Sequence, residues 1–272
     1  PSTWVVAKFY RPLRWTEKQI LDEHLFLRKL QEAEIPAVAP LTLQNQSTLH
    51  KGTDGILFTV FPKTAGRMKD ELSAREFRTL GLYLARIHSV ASTLQTSRIE
   101  LNVQNYGQEP LRVILGLNFV NDNLKKRFEH TVTSILKTVD PLLKQFPKQL
   151  VHGDCHMGNL LWNVDMPFFL DFDDSLVASP VQDIWMIARG RDEDEVKKRE
   201  ELIQGYDEMK SFDARSLCLI EPLRALRMIH YSGWIAKRWD DPSFPRMFPQ
   251  FTTEKYWIDE IESLNRTAEL IE

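Results

Sequence analysis

The chain has 272 residues, 43% of them apolar and 27% charged, the balance of a globular protein whose core needs no disulfide staples. Its 35 basic and 38 acidic residues leave a net charge of −3. That makes no case for nucleic acid as the main partner, and the longest apolar runs are too short to span a bilayer. With only Cys155 and Cys218 present and no secretory signal at the start, a reducing cytoplasm is the expected compartment.

The chain opens on Pro1, almost inside a strand. Residues 4–10 (WVVAKFY) are rich in β-branched and aromatic types. Pro12 ends that strand. Thr16 and Gln19 then form a capping box, and Ile20, Leu21, His24, Leu27 and Leu30 follow at helical spacing, so residues 17–32 read as a helix. Residues 35–43 read as extended, with Pro36 and Pro40. Gly52-Thr53-Asp54-Gly55 is a turn signal leading into a strand over 56–61 that Pro62 stops. Beyond Gly66 the chain turns helical. Residues 73–90 carry Phe77, Leu80, Leu84 and Ile87 on one face, and 111–146 are mostly helical with Pro141 near the end. Two short apolar runs follow, 149–151 and 168–170. Residues 180–272 read as helices separated by a Pro- and aromatic-rich loop at 241–251. The expectation is an α+β chain with a small β-containing head over 1–62 and a mainly helical body over 63–272.

The chemistry concentrates in His152-Gly153-Asp154-Cys155-His156-Met157-Gly158-Asn159, followed twelve residues later by Asp171 at the end of an apolar strand. Phosphoryl transfer from ATP asks little covalent chemistry of a protein. It needs a carboxylate to accept the hydroxyl proton and oxygen ligands to hold magnesium on the phosphates. An Asp with an Asn five residues on, then a second Asp at a strand end, supplies that set, and protein kinases use the same spacing.

HGDCHMGNLLW followed by FLDFDD resembles the motifs of the aminoglycoside phosphotransferase and choline kinase group, and Ser179-Pro180-Val181-Gln182-Asp183-Ile184-Trp185 resembles its Gly-Pro-x-x-Asp-Leu element, with Ser179 in place of Gly. VVAKFYRPLRWT, QILDEHLF, SPVQDIWM, LIEPLRALRM and RWDDPSFPRMFP narrow the likeness to the bacterial stress response kinase A family, whose members phosphorylate serine and threonine in proteins. The resemblance runs from residue 5 to about residue 257. It implies a bilobal protein-kinase-like fold, a small N-lobe and a large helical C-lobe holding the catalytic loop and acceptor site. It implies Asp154 as catalytic base and Asn159 and Asp171 as magnesium ligands, with Asp171 also catalytic. Lys8 would contact the ATP phosphates with Glu23 as its ion-pair partner, and the backbone around Val60 and Phe61 would hold the adenine. The partners implied are ATP, Mg2+ and protein substrates, this chain itself included, acting as a cytoplasmic monomer with no membrane or nucleic-acid partner. Family members carry two further strands and a phosphate-covering loop before the lysine strand. The N-lobe therefore reads as truncated, and roughly 40–60 further N-terminal residues are expected.

Other readings stand beside these. A small-molecule kinase for an amino alcohol, sugar or aminoglycoside shares every ATP-side residue, and a non-catalytic scaffold is disfavoured by the intact Asp154, Asn159 and Asp171. Asp173 and Asp174 either assist the metal or cap the following turn. Asp183, His152, His88, His156 and Cys155 read as structural. A zinc site at 152–156 lacks a second cysteine pair. The aromatics Trp234, Trp239, Phe244, Phe248, Tyr256 and Trp257 form either packing or a recognition surface. Arg224 and Arg227, beside Glu221, either line the acceptor cleft or sit on a solvated helix face.

Overall fold

The computed structural model describes residues 4–43 and 46–271, in two compact units, Pro1–Ile99 with Lys148–Asp213 and Glu100–Pro147 with Ala214–Glu272. The first unit opens with β1 (Val5–Phe9), α1 (Glu17–Glu32), β2 (His50–Lys51) and β3 (Leu57–Pro62). The expected capping box is present: Thr16 accepts from the Gln19 amide and the Gln19 side chain caps Thr16 in return. β1 pairs antiparallel with β3, Lys8 opposite Thr59, and the two-residue β2 completes the sheet on the other edge of β3. Pro62 does not stop β3 short. It is the last paired residue, opposite Val5, at a strand end where a missing N–H is tolerated.

α2 (Ala74–Ala91), capped by Ser73, packs on α6 (Glu193–Asp207). Gly81 and Gly205 stand where these helices meet. A Cβ on Gly81 would overlap the Leu202 carbonyl, and one on Gly205 the Arg78 carbonyl, so the two backbones touch. Around this seam Phe26, Leu30, Phe77, Leu80, Leu84, Leu202 and Tyr206 form a core that extends to Phe169 and Phe172. Two short antiparallel pairs sit on it: β4 (Gln149–Val151) with β7 (Leu176–Ala178), and β5 (Leu160–Asn163) with β6 (Met166–Phe169). Single bridges tie Ala37 to Phe169 and Arg67 to Trp162, so the expected extended stretch 35–43 becomes one bridge and not a strand. α5 (Val181–Ile187) is buried throughout.

The second unit is helical. The stretch expected to be mostly helical over 111–146 is so, in two pieces: a π-helical turn (Gln104–Gln108) runs into α3 (Glu109–Leu115), and α4 (Asp122–Leu143) starts afresh from an Asn121 cap. Pro141 lies in the last turn of α4, where losing one backbone donor does not break the helix. α7 (Ile220–Ala236) packs on α3, and α9 (Glu254–Ala268) on α4. The loop expected at 241–251 holds the short helix α8 (Ser243–Met247) and a 3-10 turn. Within it Phe244 and Phe251 are buried, and on α9 the buried Trp257 meets Phe128 edge-on at 5.5 Å.

Candidate functional site

β4 delivers the chain into the loop His152–Asn159, whose shape Gly153 sets. Its φ is +84°, and a Cβ there would overlap the Asp174 carbonyl, so this position suits glycine alone. Asp183, in the first turn of α5, fixes the loop from beneath. Its fully buried carboxylate accepts from the His152 amide at 2.9 Å, the Gly153 amide at 2.8 Å and His88 Nε2 at 2.9 Å. Burial alone would push this carboxyl up, but the hydrogen bond and charge from His88 and the backbone donors hold it below the usual range. Tyr206 lies 3.0 Å from the other His88 nitrogen, and Gln182 donates to the Gly153 carbonyl. His152 Nε2 faces the Leu170 carbonyl at 2.8 Å. A carbonyl only accepts, so this nitrogen carries the proton. The structural readings of Asp183, His88 and His152 agree with these contacts.

Asp154 therefore stands on a braced loop, with His156 Nε2 3.5 Å from its carboxylate. Asn159 closes the loop by donating its Nδ2 to the Asp154 carbonyl at 2.9 Å, while its own carbonyl accepts from Leu170 N–H. That last bond puts Asn159 beside the end of β6, from which Asp171 emerges. Asp171 has φ 55° and ψ 67°, a left-handed conformation that Asp tolerates better than most residues. Cys155 is buried, and its thiol is pushed up by burial and by the charges of Asp183 and Asp154, which leaves it inert.

Lys8 on β1 meets the acidic segment. Its Nζ lies 3.0 Å from Asp171, 3.3 Å from Asp173 and 3.6 Å from Glu23. Burial alone would lower the ammonium, but Glu23, Asp173 and Asp171 hold it above its ordinary value. Glu23 is 1% exposed, and neither carboxylate oxygen has a hydrogen-bond partner. Desolvation pushes it up to about 7 against the pull of Lys8. Asp171 is drawn below its usual range, the charge and hydrogen bond of Lys8 outweighing burial.

Lys8, Glu23, Phe61 and Asp171 line one cleft of about 510 Å³, with Val6, Val38, Leu161 and Phe169 among its apolar walls. Val60 does not line it. Paired opposite Ala7, it faces away from Val6 and Phe61 because strand side chains alternate, and its carbonyl already accepts from Leu41 N–H. The walls suit a flat apolar ring and the polar end an anionic chain. Asp171, 58% exposed at its side chain, and the Asn159 amide oxygen are hard donors that could hold magnesium. That ion commonly takes one or two protein oxygens and completes its shell with phosphate and water. Among the described residues no group of three or more His, Cys, Asp or Glu side chains is arranged to hold a metal by itself. Asp173 and Asp174 are turned instead onto Arg14, at 2.9 and 2.6 Å. Neither Arg14, though it lies in the segment VVAKFYRPLRWT, nor Arg98 has a role that the sequence assigns, and their place beside the site is visible only in three dimensions.

The sequence model of the phosphotransferase enzyme family matches residues 3–219. Stress response kinase A of Escherichia coli (strain K12) is 35% identical over 269 residues, 98% of this chain and 81% of that protein. The serine/threonine protein kinase RdoA of Salmonella typhimurium (strain LT2) is 35% identical over 254 residues, 93% and 76% of the two chains. Among solved structures, amicoumacin kinase hAmiN in complex with AMP-PNP, Ca2+ and Ami superposes with a TM-score of 0.74 at 20% identity, over 96% of this chain and 82% of its own. The microcompartment-associated aminopropanol kinase does so at 0.69 and 14%, over 98% and 84%; at these identities the likeness is one of fold. With the family model covering most of the chain and a relative 35% identical over 98% of it, the chain belongs to the phosphotransferase enzyme family.

Proposed function

We propose that this phosphotransferase moves the γ-phosphoryl group of ATP to serine or threonine hydroxyls of proteins. The observation that carries the ATP half is the meeting of Lys8, Glu23 and Asp171 at the polar end of one apolar-walled cleft. In this reading residues 1–62 serve nucleotide binding, and residues 63–272 carry the catalytic loop and the acceptor side. The backbone near Phe61 holds adenine, and Lys8, oriented by Glu23, faces the phosphates. Asn159 and Asp171 hold Mg2+, whose charge would offset the charge developing on the transferred group. Asp154 takes the proton of the attacking hydroxyl as its oxygen bonds to phosphorus and the bond to the β-phosphate oxygen breaks, releasing ADP. The protein acceptor is favoured by the two relatives at 35% identity, named as a stress response kinase and a serine/threonine protein kinase. A bacterial stress response, autophosphorylation and action as a cytoplasmic monomer are part of the same reading. Neither cysteine forms a disulfide, and no helix among the described residues is long and apolar enough to cross a membrane.

The test is phosphate transfer from labelled ATP to generic protein acceptors and to the chain itself, run beside a panel of amino alcohols, sugars and aminoglycosides. Label in protein, lost by roughly 10²–10⁴-fold in Asp154→Ala, is the expected result. Label in a small molecule alone would move the acceptor assignment to the second class. Near-normal transfer by Asp154→Ala would remove Asp154 as the base.

A further inference from the structure

Lys8 is shared among three carboxylates, and one of them has no role so far. Asp171 is 58% exposed at its side chain, open to the cleft, whereas Asp173 is 7% exposed and turned inward onto Lys8 at 3.3 Å. Burial makes an uncompensated carboxylate costly, and each neighbouring cation offsets part of that cost. For Asp173 the second cation is Arg14 at 2.9 Å, whose other arm takes Asp174 at 2.6 Å. Arg14 is aimed by a strained turn. Leu13, just before it, has φ 64° with its side chain fully exposed, a left-handed conformation that is unfavourable for a non-glycine residue. Nothing in the Leu13 side chain's surroundings repays that cost, so it falls to neighbouring contacts to hold the turn. The two ion pairs of Arg14 are such contacts.

Arg98 secures the same segment from its backbone side. Its buried guanidinium lies over the Trp15 ring and donates to the carbonyls of Ser175, Phe172 and Asp173, and to that of Gln19 on α1. The acidic segment is thus tied to the helix that carries Glu23, and Arg14 then sets where its carboxylates point. Asp173 is left at a fixed distance from Lys8.

We propose that Asp173, held in place by Arg14, is a positioning residue for Lys8: a second anchor that keeps the ammonium facing the cleft when Asp171 is engaged by a metal. The proposal rests on the nucleotide reading of the cleft given above. With Asp171 so engaged, Lys8 retains Glu23 and Asp173. Without Asp173 it would keep only the longer contact to Glu23, at 3.6 Å.

The experiment measures the affinity of the full chain for a fluorescent ATP analogue at saturating Mg2+, which needs no acceptor and no turnover. Asp173→Asn and Arg14→Gln are each expected to weaken binding about tenfold, the usual scale for losing a residue that orients a ligand-contacting group. Arg14→Lys should recover most of that loss, because one cation near Asp173 is restored. The double variant Arg14→Gln/Asp173→Asn should be no weaker than the worse single one, since the pair acts as a unit. Arg14 is part-exposed, so its variants report on positioning even if Asp173→Asn folds poorly. Affinities within twofold of the unsubstituted chain, or losses that add in the double variant, would overturn the proposal. Failure of the reading beneath it has a different signature: no Mg-dependent nucleotide binding by the unsubstituted chain, or unchanged binding by Asp171→Asn.

Discussion

Replacing Asp183 should cost more stability than any other single carboxylate change in the chain. Two backbone amides and His88 Nε2 all direct their protons at this one carboxylate, within 2.8–2.9 Å and with no solvent access. In Asp183→Ala three buried donors lose their acceptor, and each unsatisfied donor costs about 1–3 kcal/mol. Relief from burying a charge offsets part of that sum, and removal of one partner from a buried polar pair typically nets about 3–5 kcal/mol. A loss of about 4 kcal/mol is a large share of the 5–15 kcal/mol that holds a typical native state. At roughly 2–4 °C per kcal/mol for chains near this size, the melting point should fall by about 10 °C. Asp183→Asn keeps the shape and one acceptor oxygen but aims an NH2 at a donor, so about half that loss is expected. Urea denaturation followed by circular dichroism measures both. The matched control is Asp192→Ala, an exposed N-cap of α6 whose backbone hydrogen bond, from the Glu195 amide, water can replace. If Asp183→Ala costs no more than that control, the loop His152–Asn159 is not held from beneath by this carboxylate. Because the folded state holds Asp183 below the usual carboxylate range, its contribution is present above the unfolded value and is lost as pH falls through the folded one. Asp183→Asn should therefore remove part of the acid sensitivity.

Glu23 should give the opposite pH signature. Its folded value is pushed up to about 7 from 4.5, so the stability it contributes is complete below 4.5 and is lost as pH rises through about 7, on the order of 3 kcal/mol in all. Unfolding free energies at pH 5 and pH 8 should diverge between the unsubstituted chain and Glu23→Gln; parallel values would mean the carboxylate is better satisfied than its orphaned oxygens indicate. Gly153→Ala should destabilise by about 3 kcal/mol, summing the left-handed backbone penalty and the overlap with the Asp174 carbonyl; a loss below about 1 kcal/mol in the same denaturation assay would show that the loop can move aside. Thiol titration of the native chain should find exposed Cys218 reacting quickly and buried Cys155 only after unfolding; fast reaction of both would place Cys155 nearer solvent.

Features of the chain that depend on neighbours in sequence were legible before any coordinates. The capping box at Thr16 and Gln19 needs only four consecutive residues, and the helix Glu17–Glu32 starts and stops where its spacing predicts. The motif around Asp154 and Asn159 is equally local, because one loop carries both and a hydrogen bond between side chain and backbone closes it. Strands of two to four residues, as at His50–Lys51, Leu160–Asn163 and Leu176–Ala178, are too short for an alternating pattern to stand out. Pairing with distant partners makes them strands. Val60 shows the same limit at a single residue: which of two adjacent side chains faces the cleft depends on register.

The sequence by itself determined the reaction class, because that rests on residue types at fixed short spacings. Only the tertiary structure decided how the charges are shared. Lys8, Glu23, Asp171, Asp173, Arg14 and Arg98 come from four separate stretches of chain. As letters, Arg14 and Arg98 look like any surface arginine. Burial and distance, set by the packing of α1 against the segment that follows β6, make one of them the partner of two carboxylates and the other a hub of four backbone carbonyls. An electrostatic interaction depends on separation and dielectric, and a linear string of residues carries neither.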